Sequence, residues 1–144
     1  MTQLSLDTAQ TILTAALKAA REKTMKPLSV AVYDARGALK ALASEDGTSL
    51  KRAEIAMGKA YGALALGVGS RAIHKMAVDR PYFVAAASHV VGGQLVPVPG
   101  GVLIKDQQGA ILGAVGISGD TSDNDEMAAA AGIEAAGLVF DAGA

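Results

Sequence analysis

The sequence contains no cysteine. This absence excludes disulfide bonds, thiolate catalysis and metal sites built on cysteine ligands. Histidine is nearly as scarce: there are two, and they form neither a His-x-x-His nor a His-Glu-x-x-His pattern. The sequence therefore predicts no metal site of these common kinds.

Neither sign of charge is in excess, since 13 Lys and Arg residues face 14 Asp and Glu residues, for a net charge of −1. Nucleic-acid partners select a strongly basic surface, so this balance argues against them. No run of 18 apolar residues is present, which argues against a membrane span. The first ten residues, MTQLSLDTAQ, hold an acid and no basic residue, unlike a secretory signal. The cytoplasm is the expected compartment.

Large side chains are also few, with two Phe, three Tyr and no Trp in 144 residues. Even so, 51% of the residues are hydrophobic, and alanine is prominent among them. A chain of this length can bury roughly 68–70% of its unfolded surface, so we expect one domain over residues 1–144. Small side chains allow close packing, and surplus apolar surface is typical of subunits of a homo-oligomer.

The first half of the chain predicts a helix followed by a hairpin. Apolar residues recur every three or four positions over residues 5–23. Residues 28–44 contain two β-rich runs around a turn that Asp34 opens and Gly37 closes, which is typical of a hairpin. Residues 103–114 show the same chemistry and predict a second hairpin.

A second helix is predicted between the hairpins. Gly58 and Gly62 inside it cost roughly 1 kcal/mol each relative to alanine, which indicates a close backbone approach to a sheet or another helix. A short third helix is expected to end at Pro81, followed by a strand, a loop and a strand over residues 92–104. The last helix is expected from about 123 to 140. The order α-β-β-α-α-β-β-β-α predicts an α+β fold with helices packed on an antiparallel sheet.

Four carboxylates lie where the last predicted helix begins: Asp120, Asp123, Asp125 and Glu126. Acids in a first turn preceded by Ser and Thr are typical of a capped helix, each acid stabilising by roughly 0.3–1 kcal/mol. Calcium binding is a second interpretation, although the spacing of a known calcium loop is absent. A ligand-facing or catalytic carboxylate is the third, with Asp125 or Glu126 as candidate. The pattern alone leaves these alternatives open.

Other polar residues with two interpretations stand outside this junction. Lys59 lies in the small, apolar stretch AMGKAYGA, where its ammonium either extends to the surface or holds a carboxylate or phosphate beside a pocket. Gly100 and Gly101 form either a tight turn or a small anion-binding nest. His74 is typical of a solvated helix residue. His89 is either structural or available for proton transfer or axial ligation.

Nearly the whole chain resembles the GlcG/HbpS-like family, in residues 4–22, 28–47, 54–67 and 98–132. The most specific motifs are Pro-Gly-Gly-Val, Gly-x-x-Gly-x-Ser-Gly and the Asp-Glu pair that enters the last helix. The family includes an extracellular haem-binding sensor protein and a protein encoded beside glycolate oxidase. It also includes the C-terminal domain of a corrinoid adenosyltransferase of propanediol breakdown.

The resemblance implies an antiparallel five-stranded sheet in a profilin-like α-β-α arrangement, assembled into homo-oligomers, often octamers. Some members bind haem, the family is described as haem-degrading, and many members are encoded in catabolic operons. One relative is thought to ligate haem through a histidine on its first helix. Here that helix, SLDTAQTILTAALKAAREK, contains no histidine. Haem is therefore a candidate cofactor whose iron would need His74, His89 or a ligand other than histidine.

Residue by residue, the resemblance implies one shared pocket. Lys59, Asp125 and Glu126 are its candidate catalytic residues, and its candidate ligand-binding residues are Tyr82, His89, Gly100 and Gly101. Two functions follow. The first is an oligomeric protein that binds a tetrapyrrole such as haem, or a small catabolic metabolite. The second is a cofactor-free isomerase or hydrolase in which Lys59 acts as electrophile beside a carboxylate acid or base. Whether the protein is an enzyme stays open on the sequence.

Overall fold

Five strands form one antiparallel sheet in the computed structural model, which describes residues 3–144. Their order across the sheet is β2-β1-β4-β3-β5. Neighbouring strands in this order are antiparallel throughout. The strands are β1 (Ser29–Asp34), β2 (Leu39–Ser44), β3 (Gly101–Lys105), β4 (Ile111–Ser118) and β5 (Val139–Asp141).

Helices cover both faces of the sheet and give an α-β-α layer order. The helices are α1 (Leu6–Glu22), α2 (Arg52–Leu66), α3 (Ser70–Asp79), α4 (Pro81–Val90) and α5 (Ser122–Ala135). Alternate residues of β1 point to opposite faces. Val30 and Val32 pack with α1 and α5, whereas Ala31 and Tyr33 pack against α2. The predicted α+β fold with a five-stranded antiparallel sheet is confirmed. No helix within residues 3–144 combines the length and the apolar character needed to cross a bilayer.

Both predicted hairpins are present and use the same turn chemistry. In the first, a carboxylate oxygen of Asp34 accepts the Arg36 and Ala38 amides, at 2.9 and 3.1 Å. Gly37 has a φ of +83°, which a residue with a side chain rarely adopts. The turn at Asp106 repeats the arrangement with the Gln108 and Ala110 amides. The turn residues thus fix both pairings of neighbouring strands.

Two predicted elements are wrong, and one helix was not predicted. The third helix does end before Pro81 as predicted, since α3 ends at Asp79, but Pro81 also occupies the first turn of the unpredicted α4, a position where its missing amide costs nothing. The stretch expected to form a strand near residues 92–96 is a turn and loop, and the fifth strand is instead β5. The last helix ends at Ala135 rather than near 140, and Gly137 follows it in a left-handed conformation.

Glycines allow α2 to lie unusually close to the sheet. A methyl group at Gly116 of β4 would collide with the Ala56 carbonyl of α2. A close approach at Gly58 and Gly62 is present, but the predicted partner, a sheet or another helix, is wrong. At these positions α2 meets Val96 and Leu95 of the loop that leads into β3. This close contact brings the middle of α2, including Lys59, against the end of the sheet.

Candidate functional site

Lys59 lies at the centre of a buried polar group. Its side chain extends from α2 past the end of β4, and the residue is 2% exposed. The ammonium donates a hydrogen bond to the Ile117 carbonyl at 2.8 Å and lies 3.1 Å from a carboxylate oxygen of Asp125. Of the two interpretations of Lys59, extension to the surface is therefore wrong.

Asp125, the partner of Lys59, lies in the first turn of α5 and is 1% exposed. One of its oxygens accepts from Lys59, and the other accepts the Asp120 amide at 3.0 Å. Both carboxylate oxygens of Asp125 are therefore engaged inside the protein. The pair joins α2, β4 and α5, which belong to different layers of the fold.

Gly100 and Gly101 lie against the same ammonium. Gly100 has a φ of +125°, and a Cβ placed there would lie 2.8 Å from the Lys59 Nζ. The Gly101 amide donates to the Ser70 hydroxyl at 2.7 Å, so it is not free to receive an anion. The structure thus brings Lys59, Gly100, Gly101 and Asp125 together, as the shared-pocket prediction requires, but packs them without a side-chain-sized gap at the glycines.

Burial opposes charge on both members of the pair. Burial raises the pKa of Asp125 above its ordinary value, and the Lys59 ammonium opposes only part of that shift. Burial likewise lowers the pKa of Lys59, against the attraction of Asp125. Perturbed buried groups of this kind occur at active sites and also in structural ion pairs. Exposures of 2% and 1% mean that a substrate would reach them only after the surrounding elements moved.

The other acids of the junction have separate partners. Glu126 binds the Arg71 guanidinium of α3 through two contacts, at 2.9 and 3.2 Å, and Asp123 also pairs with Arg71. Thr121 caps α5, because its hydroxyl accepts the Asn124 amide at 3.2 Å. The interpretation as a capped helix start is confirmed, while Asp125 and Glu126 point to different partners.

Asp120 closes the turn that precedes α5. Its carboxylate accepts the Lys26 amide at 2.8 Å, the Thr121 amide and the Asn124 side chain. These hydrogen bonds, led by the one from the Lys26 amide, lower the pKa of Asp120 to about 2. The carboxylate therefore fastens the start of α5 to the segment that leads into β1.

Tyr82 and His89 lie on α4, away from the buried group. α4 packs inward through Val84 and Ala87. Its remaining side chains form what we call the outer face of α4, which consists of Tyr82, Phe83, Ala85, Ala86, His89 and Val90. Tyr82 is 73% exposed and Val90 is 83% exposed. The sequence prediction of one shared pocket thus separates into a buried polar group and an exposed apolar helix face.

Several residues of the buried group gave no sequence signal. Ser70 accepts a hydrogen bond from the Gly101 amide, and Arg71 pairs with Glu126. In the sequence, both residues are typical of the first turn of a helix. Arg52 donates to the Ser118 hydroxyl at 3.0 Å beside the same end of the sheet. Their partners lie far along the chain, so no local spacing could have indicated these contacts.

The outer face of α4 is apolar over most of its length. It offers aromatic and aliphatic carbon from Tyr82 to Val90, one imidazole, and no charged side chain. A cation stands at one end, where the Arg80 guanidinium lies 5.1 Å from the centre of the Phe83 ring. The outer face of α4 therefore combines an apolar surface, one exposed imidazole and a cation at its N-terminal end.

One protein family and several solved structures match this chain. The family model described as "Haem degrading protein HbpS-like" matches residues 4–134. The structure is similar to that of HbpS, with 26% identity over 93% of this chain and 90% of that one, and a TM-score of 0.80. It is also similar to the PduOC–haem complex, with 23% identity over 94% and 96% of the chains and a TM-score of 0.83.

A third similar structure is the protein ORFY of Klebsiella pneumoniae, with 22% identity over 95% of this chain and 93% of that one. Its TM-score is 0.83. At these identities the PduOC and ORFY structures bear on the fold alone. No curated protein matches the chain.

Proposed function

The chain belongs to the HbpS-like family, and from that premise we propose that it binds an iron tetrapyrrole such as haem on the outer face of α4. The observation that carries the proposal is the composition of this face. A helix that is apolar all round is normally buried. α4 is instead covered on one side, and the uncovered side holds His89 among aromatic and aliphatic side chains.

His89 is the residue that would hold the iron. Neutral imidazole is a common haem ligand, and His89 lies in the last turn of α4, where the helix dipole favours a cation. His74 is the other histidine, and its Nδ1 lies 3.2 Å from the Pro97 carbonyl. The first helix supplies none, since α1 reads LDTAQTILTAALKAARE. Bound haem would supply one-electron chemistry and a coordination site for small molecules.

The two ends of α4 differ in a way that suits an amphiphilic tetrapyrrole. Arg80 is exposed at the N-terminal end, where the helix dipole also attracts negative charge. The acidic propionate groups of haem would meet this end. Tyr82 lies two helical turns from His89, about 10.5 Å along the axis. It supplies aromatic surface between the Arg80 end of α4 and His89.

Haem titration tests the proposal, and the two histidines give a matched pair of variants. The native protein and His74→Ala should both shift the Soret band of added haem, and both should bind haem with the same affinity. His89→Ala should lose the band of an imidazole-ligated iron and bind at least ten-fold more weakly, equivalent to about 1.4 kcal/mol. Equal spectra and affinities for the native protein and His89→Ala would overturn the assignment of His89.

We also propose that the chain assembles into a homo-oligomer, with an octamer as the specific expectation. Support comes from large apolar side chains left exposed over several elements, among them Leu50, Val78, Met127 and Phe140. Apolar surface that a folded chain leaves exposed can be covered by contacts between subunits of an oligomer. Sedimentation velocity should give a mass of several chains at micromolar concentration. A mass of one chain over the accessible range would contradict assembly.

Catalysis by Lys59, Asp125 and Glu126 is the alternative, and it stays a prediction. It draws support from the opposed pKa shifts of Lys59 and Asp125 at one buried point. We place it second because both side chains are already engaged by the protein. Turnover of an identified small acid or carbonyl compound that collapses in Glu126→Gln, while folding survives, would reverse this order.

A further inference from the structure

β2 is the longer of the two edge strands of the sheet. The sheet order places β2 at one edge and β5 at the other. β5 has three residues, and its Asp141 is paired with Lys105 at 2.7 Å. β2 has six residues and contains neither proline nor glycine. An edge of this length presents free backbone donors and acceptors to another strand unless something protects it.

The pairing with β1 determines which backbone groups of β2 are free. The Glu45 amide donates to the Leu28 carbonyl, so Glu45 bonds towards β1. Antiparallel strands alternate between residues that bond to their neighbour and residues that face away. Ala43 therefore also bonds towards β1, and Leu42 and Ser44 direct their N–H and C=O groups outwards.

We propose that β2 pairs with β2 of a second copy, antiparallel, around a two-fold axis beside Ala43. In this register the outward groups of Leu42 bond to those of Ser44 of the second copy, and the reverse pair forms by symmetry. The two sheets become one continuous sheet. The pairing specifies one contact of the self-association proposed above, and it does not depend on haem.

The side chains of β2 fit this register and disfavour its neighbours. Ala43 faces its symmetry equivalent at a Cα separation of about 4.5 Å, where small side chains fit. Lys40 precedes and Asp46 follows the segment 41–45, so antiparallel pairing brings the Lys40 end of one copy near the Asp46 end of the other. Leu42, now 42% exposed, becomes covered. A two-residue shift centred on Leu42 would move these opposite charges apart.

Edge protection covers only the start of the strand. The register between β1 and β2 shifts after Val32, which leaves Lys40 as an extra residue in β2. Bulges and lysines at an edge discourage pairing with another chain. Both lie ahead of Ala41, so residues 41–45 keep a regular outward edge. The strand is therefore guarded at one end and open over the segment that the proposed pairing uses.

Cysteine cross-linking tests the pairing, and the absence of native cysteine makes it unambiguous. Ala43→Cys should form a disulfide-linked dimer on mild oxidation, because about 4.5 Å between Cα atoms lies within the range that a disulfide spans. Gln108→Cys is the control for random collision, since Gln108 is exposed in the turn between β3 and β4. Cross-linking of Ala43→Cys no faster than Gln108→Cys would overturn the pairing.

Amide exchange of the unmodified chain provides the second test, which holds even if Ala43→Cys folds poorly. The Ala43 and Glu45 amides should be protected at every protein concentration, because they bond within one chain. The Leu42 and Ser44 amides should become protected only as the chain associates. Fast amide exchange at Leu42 and Ser44 in an associated sample would overturn the β2 pairing, but it would not contradict self-association. A chain that stays monomeric would overturn both, while haem binding remains separately measurable.

Discussion

The ammonium of Lys59 lies 3.1 Å from the carboxylate of Asp125, although 66 positions separate the two residues in the sequence. The contact fastens α2 to the start of α5 across the end of the sheet. The sequence predicted that these distant residues lie close together, but it did not predict that both side chains are buried. Because burial separates the pair from solvent, its first role is to stabilise the fold.

Breaking this pair should cost more than removing it. Lys59→Met leaves a buried carboxylate without its cation, and we expect a loss of about 3–5 kcal/mol in the free energy of unfolding. In Lys59→Met/Asp125→Asn no charge remains buried, and the new amide can still accept from the Asp120 backbone. The double variant should therefore be more stable than Lys59→Met by about 1 kcal/mol or more. Urea denaturation measures both values, and a double variant no more stable than Lys59→Met would contradict the coupling.

Acid should release the turn held by Asp120. The pKa of this carboxyl is about 2 in the folded protein, against 3.8 for an unperturbed aspartate. Its contribution is therefore complete above pH 3.8 and is lost as the pH falls from there towards 2. Asp120→Asn removes that dependence, so its stability should change less steeply than that of the native protein between these values. Asp79→Asn, which removes one exposed carboxylate at the end of α3, is the control for the change in net charge.

Close packing of α2 on the sheet gives a third expectation. Gly116→Ala directs a methyl group at the Ala56 carbonyl, which belongs to a helix backbone and cannot step aside. The loss should be about 1–3 kcal/mol or more.

Gly58→Ala is the comparison for this variant. Its methyl group would meet the end of the Val96 side chain, which can rotate, and alanine favours the helix by roughly 1 kcal/mol. Thermal unfolding should rank Gly116→Ala well below Gly58→Ala. Equal stabilities would show that the two backbones are not in the contact described.

The sheet and its hairpins could be predicted because their signals are local. Asp34 and Gly37 specify their turn through hydrogen bonds within five residues, and the turn after Asp106 does the same. α4 was missed because proline ends one helix and begins another with equal ease, and only the fold decides between them. β5 was missed because three residues carry too little pattern; its position follows from pairing with β3.

The candidate site was predictable by residue type and not by environment. Lys59, Gly100, Gly101 and Asp125 do converge, as the family resemblance implied. The residues that form hydrogen bonds with them, such as Ser70 with the Gly101 amide, come from other elements. Local residue spacing therefore does not indicate these contacts. Tyr82 and His89 were grouped with Lys59 because the helix that carries them outward had not been recognised. Exposure is set by what packs on α4, and the sequence of α4 does not contain that information.

The central claim is that the outer face of α4 binds a tetrapyrrole, and backbone amide NMR with gallium protoporphyrin tests it most directly. This diamagnetic analogue should shift the resonances of residues 81–91 most strongly, with the largest changes near Tyr82 and His89. The same experiment on His89→Ala should lose those shifts, while His74→Ala should keep them. Shifts concentrated instead on the polar side of α1 around Thr11 and Thr14, or beside Gly100 and Gly101, would contradict the claim.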